Sequence, residues 1–94
     1  MKLALTSEEL DAVREYALRS EDCEQLSERE FVMYFYDLEQ PVTLDLVLEQ
    51  DGARVDGAAY LAYDDAMDGW YMRESIENEA EVRRALCQAG VLEK

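Results

Sequence analysis

The chain has 94 residues, 49% of them hydrophobic and 10% aromatic, and a formal net charge of −14 from 23 acidic and 9 basic side chains. That length suits a single domain (1–94) near the lower end of what folds without staples, and the apolar content excludes a disordered acidic tail. With Lys only at positions 2 and 94, the chain lacks the clustered bases that direct nucleic-acid binding by phosphate neutralisation needs.

The composition also narrows the chemistry. There is no histidine, which removes the commonest general base, the Ser-His-Asp and Cys-His devices and imidazole metal ligation. The glycines form no phosphate-cradling loop, and neither lysine suits a Schiff base. Carboxylates are abundant enough for an acid–base pair, but so small a domain leaves little room for a deep cleft, so no enzyme, cofactor or metal is expected. The start lacks a basic and then apolar leader, and no apolar run approaches 18 residues, which predicts a cytoplasmic chain without membrane contact. Cys23 and Cys87 lack CxxC spacing and read as reduced thiols.

Thr6-Ser7-Glu8-Glu9 is a capping-box pattern ahead of Leu10, Val13 and Ala17, so the spacing predicts a helix over 7–20. Ser27-Glu28-Arg29-Glu30 repeats the pattern ahead of Phe31, Tyr34, Phe35 and Leu38, which favours a second helix over 27–39. The run FVMYFY is also strand-like, because short apolar runs are ambiguous by period. Its aromatics belong in a core, or form a docking surface if Val32, Met33 and Tyr36 stay outside.

Pro41 ends that element, and 42–74 reads as a three-stranded antiparallel meander. Asp51-Gly52 is a favoured type I′ pair, and placing it at the hairpin tip sets Leu48 opposite Val55, Leu46 opposite Gly57, Leu44 opposite Ala59 and Val42 opposite Leu61. One face is then apolar; Asp45, Glu49, Asp56, Thr43 and Tyr60 fall on the other. Asp64 to Gly69 forms the second turn, which sets Tyr63 opposite Trp70 and places Tyr71 and Arg73 beside Tyr60. The turn resembles an EF-hand loop at Asp64, Asp68 and Gly69, but Ala66 and Ser75 occupy ligand positions, so a plain turn is the better reading. A last helix over about 77–89, capped by Asn78 or Ser75, buries Val82, Ala85, Leu86 and Ala89 and closes at Gly90.

The expected fold is therefore α+β, a single small domain of order ααβββα, with a three-stranded antiparallel meander and helices packed on one face. Between Asp37 and Asp68 stand nine carboxylates and one base, Arg54. Spread carboxylates on a rigid scaffold can imitate a phosphate backbone and occupy a basic groove. The candidate partner-binding set is Asp37, Glu39, Asp45, Glu49, Asp56, Asp64, Asp65 and Asp68, with Tyr60, Tyr71 and Trp70 as aromatic anchors. In size, acidity and lack of a catalytic set the chain resembles phage anti-restriction and anti-CRISPR proteins and other nucleic-acid mimics. That resemblance is one of composition, and it implies a non-enzymatic inhibitor or regulator of a basic protein that handles nucleic acid. The alternative is a small acidic chaperone or toxin-neutralising immunity protein acting through the aromatic surface of 27–39. General solubility charge would explain the acids equally well.

Overall fold

In the computed structural model of the chain, which describes residues 1–93, Thr6 opens the first helix as a reciprocal cap. Its hydroxyl accepts from Glu9 N at 3.1 Å, and the Glu9 carboxylate accepts from Thr6 N at 3.1 Å. Helix α1 (Ser7–Arg19) buries Leu10, Val13 and Ala17, as the spacing predicts. A short strand β1 (Lys2–Ala4) precedes it; three residues are too few to carry a readable period.

Residues 27–39 do not form the expected helix. Strands β2 (Cys23–Gln25) and β3 (Glu30–Phe35) pair antiparallel instead. The Ser27 hydroxyl accepts from Arg29 N at 3.3 Å and Glu30 N at 3.1 Å, while Leu26 N donates to Glu30 O at 2.8 Å. The Ser-x-x-Glu spacing of a helix cap here closes a turn, because a serine oxygen can serve either. Beyond it Phe31, Met33 and Phe35 are buried at period two. The aromatic run satisfies both periods locally, and pairing with the next strand decides between them.

Strands β4 (Val42–Glu49), β5 (Gly52–Asp64) and β6 (Gly69–Ser75) belong not to the expected three-stranded meander but to a six-stranded antiparallel sheet. Its order is β1-β5-β4-β3-β2, with β6 also paired to β5, and every pairing is antiparallel. The described residues thus form six strands and two helices in the order βαβββββα, not ααβββα.

The β4–β5 register also departs from expectation. The loop residues are Gln50 and Asp51, and Gly52 pairs with Glu49. Gly52 has φ +156°, and a Cβ there would stand 2.6 Å from Leu3 O. Glycine is needed because β1 passes so close, not to make a type I′ turn. Further on, Leu46 faces Val55 while Asp45 faces Gly57, so Asp56 is one extra residue on β5. Such a bulge reverses the alternation of everything beyond it. Ala53 and Val55 face the helices before it, and Ala58 and Tyr60 face them after it. Leu61, expected beside Leu44 and Leu46, is buried on the opposite face, and Tyr60 points toward the last helix.

That helix, α2 (Glu79–Gln88), starts at Asn78, whose side chain accepts from Ala80 N at 2.8 Å. It buries Val82, Ala85 and Leu86. Gly90, at φ +80°, turns the chain so that Val91 N and Leu92 N both donate to Leu86 O, at 2.9 and 3.2 Å. Both helices bury their apolar stripes in one cluster with Leu3, Phe31, Met33, Leu44, Leu46 and Leu48. All the core-facing strand residues come from one side of the sheet. The molecule is 43 Å long, close to the span of the 13-residue β5 at about 3.3 Å per residue.

Candidate interaction surface

Among the described residues no helix covers the other side of the sheet. A single antiparallel sheet packed on one face ordinarily solvates the other with polar side chains. Here the register sets Tyr34, Thr43 and Ala59 in one row and Leu61 with Met72, then Tyr63 with Trp70, in the rows beyond. Tyr36, two residues past Tyr34, adds a further ring on the same side.

These side chains form a continuous run. The rings of Tyr34 and Tyr36 stack at 5.7 Å, Tyr36 lies 5.0 Å from Trp70, and Trp70 meets Tyr63 edge-on at 5.4 Å. Trp70 is nonetheless 43% exposed and Met72 72% exposed. Burial pushes the Tyr36 hydroxyl above its ordinary pKa, with Tyr34 and Asp22 adding to the shift. The Tyr63 hydroxyl donates to the Asp68 carboxylate, and that bond raises its pKa as well.

The carboxylates surround this run unevenly. On the sheet face, Asp45 Oδ1 is the buried side-chain oxygen without a partner among the described residues. The neighbouring Glu30 carboxyl is pushed above its ordinary 4.5, first by a hydrogen bond with Asp45 and then by desolvation. Asp56 lies 2.7 Å from Arg54, whose guanidinium holds its carboxyl below the usual range. At the far end, Asp64 Oδ1 accepts from Ala66 N at 2.9 Å and Met67 N at 3.4 Å, fixing the β5–β6 turn. Asp68 takes φ +52° there. Among the described residues no three Asp, Glu or Cys side chains converge as a metal ion would require, and no helix is long and apolar enough to cross a membrane.

The sequence-derived candidates therefore separate. Asp45, Glu49 and Asp56 lie on the outer sheet face, and Asp64, Asp65 and Asp68 at the tip of the β5–β6 hairpin. Asp37 is exposed just after Tyr36, and it lines a shallow cleft at the end of the sheet with Asp22, Tyr34 and Tyr36 and with Tyr16, Gln88 and Ala89 of the helix layer. Glu39 turns away, into a 240 Å³ cleft with Tyr60, Glu81, Arg84 and Gln88 on the helix side. Tyr60 donates to Glu81 at 3.1 Å, and Arg73 lies 5.4 Å over its ring, so it is not an outer-face anchor. Tyr71 pairs with Ala62 on the helix side of β5, yet it is 51% exposed on the projecting hairpin. The aromatic run of Tyr34, Tyr36, Tyr63 and Trp70 escaped the sequence reading as a unit. Its signal was the period-two alternation in FVMYFY, masked by the competing helical period. Val32, Tyr34 and Tyr36 do stay on the outer side, whereas Met33 is fully buried.

The fold and surface define a small acidic α+β domain with one open, aromatic sheet face. Comparison with protein-family models, with curated proteins and with solved structures found no match.

Proposed function

We propose that the chain is a non-enzymatic acidic binding protein that occupies a basic surface of a partner protein, in the manner of a DNA or RNA mimic. The observation that supports this most is the open sheet face, whose partly exposed rings end near Asp22 and Asp37 at the end of the sheet and near Asp64, Asp65 and Asp68 at the hairpin tip. Only four ion pairs form among the described residues, against 23 acids in the chain. The remaining field attracts and steers a cationic partner. A partner that normally holds nucleic acid would exchange phosphates for these carboxylates, and its binding would weaken steeply with salt.

Affinity capture at low and high salt, followed by competition with duplex DNA and single-stranded RNA, tests this reading. The expected partner is basic, handles nucleic acid, and is displaced by both salt and competitor. Retention of the same partner at about 1 M salt, where the Debye length is roughly 3 Å, would count decisively against it.

A second reading, an acidic chaperone or toxin-neutralising protein, draws support from the same rings if they dominate over the acids. Alanine at Tyr34 or Tyr36 would then weaken binding more than neutralising Asp64, Asp65 and Asp68 together.

A further inference from the structure

We propose that the aromatic end of the outer face, Tyr34, Tyr36, Tyr63 and Trp70, is a seat for an arginine-bearing segment of the partner protein. This rests on the reading that the partner surface is basic, and it names the side chain that the surface selects.

Three observations carry it. First, the rings, exposed at Tyr63 and Trp70 and half-buried at Tyr34 and Tyr36, lie on the one sheet face that the helices leave open, where a monomer ordinarily places polar groups. Second, the chain satisfies two of its other tyrosines with arginine: Arg19 lies 5.8 Å over the Tyr16 ring and Arg73 5.4 Å over the Tyr60 ring. Among the described residues no cation lies over Tyr34, Tyr36, Tyr63 or Trp70. Third, carboxylates flank the rings at both ends, Asp22 and Asp37 beside Tyr36 and Asp68 beside Tyr63. A planar, weakly hydrated guanidinium can stack on a ring while its N–H groups reach a flanking carboxylate; a lysine ammonium is more strongly hydrated and lacks the fork. A second copy of the chain is a poor occupant, because it would bring another −14 charge against the same acidic flanks.

The test titrates the full chain with nona-arginine and with nona-lysine at low salt. Binding is read by Trp70 fluorescence, since Trp70 is the chain's one tryptophan, and by calorimetry. Nona-arginine is expected to bind about tenfold more tightly than nona-lysine and to perturb Trp70 emission. Tyr36→Ala is expected to erase most of that difference while its far-UV spectrum stays near wild type and its melting temperature falls by only about 4–8 °C. Removing one charge from the opposite face, by Glu15→Gln, should leave the difference intact. Equal affinities for the two peptides, or equal losses in Tyr36→Ala and Glu15→Gln, would overturn the arginine seat and leave the basic-partner reading standing. No binding of either peptide at low salt would overturn both. A dimer in sedimentation that dissociates on Trp70→Ala would assign the face to a second copy instead.

Discussion

The ring of Tyr36, just past β3, lies 5.0 Å from the ring of Trp70 on β6, although β4 and β5 separate those strands in the sheet. The contact forms because β5 runs on beyond the start of β4. The β3–β4 connection follows it there, with Leu61 N donating to Pro41 O at 2.7 Å. The pair thus ties the projecting hairpin to the body of the domain, but it does so at the surface. Tyr36→Ala should cost only about 1 kcal/mol in urea unfolding, in line with a partly exposed aromatic pair. It should also diminish the near-UV circular dichroism of Trp70. Phe31→Ala, which removes a ring 1% exposed in the core, should cost about 3–5 kcal/mol. Similar losses for the two variants would mean that the outer rings are core rather than surface.

Gly52 and Gly57 lie on the same strand but should respond oppositely to a methyl group. A Cβ at Gly52 would stand 2.6 Å from the Leu3 carbonyl oxygen, on a backbone at φ +156°. At Gly57 the nearest atom would be Asp45 Cβ at 3.8 Å, an ordinary contact. Gly52→Ala should therefore destabilise by about 1–3 kcal/mol, through strain or detachment of β1. Gly57→Ala should change stability by less than about 1 kcal/mol. Chemical denaturation of both variants, with amide exchange at Leu3 and Ala4, checks the pair.

The Glu30–Asp45 pair sets a pH dependence of definite sign. Glu30 has its folded pKa raised above 4.5 by the hydrogen bond with Asp45. Its contribution to stability is complete below the unfolded value and is lost as pH rises through the folded value. Asp56 runs the other way: held down by Arg54, its contribution is present above 3.8 and is lost as pH falls. Thermal melts should therefore show stability rising as pH falls from 7 toward 5, helped by the shrinking net charge. Glu30→Gln should be more stable than wild type at pH 7 and show a smaller rise. A wild-type-like pH slope in that variant would remove the pair from the account.

The two helices and the β5–β6 pairing were legible in the sequence, because those elements are specified locally. Thr6 with Glu9 and Asn78 with Ala80 are caps within one turn, and Gly90 is a stop that needs no partner. The β5–β6 pairing of Tyr63 with Trp70 and of Leu61 with Met72 was likewise readable, since a short turn fixes it. The failures share a different cause. The strand at 30–35, the glycine at 52 and the bulge at Asp56 are decided by chain segments far away in sequence. Once the bulge is unseen, Tyr60 and Leu61 exchange faces, and the candidate surface inherits the error. The acids at 45 and 49 fall on the outer face as expected because the β4 alternation reads without the bulge. The aromatic run was not, because it needs β3, β5 and β6 together.

The most direct test of the central claim, that the outer face rather than the general acidity takes a basic partner, is a map of NMR chemical-shift changes on adding nona-arginine. The account predicts changes concentrated at Tyr34, Tyr36, Tyr63, Asp64, Asp68 and Trp70, with Glu8, Glu15, Glu77 and Glu79 near the helices nearly silent. Changes spread evenly over the acids of both faces would contradict it and reduce the charge to a matter of solubility.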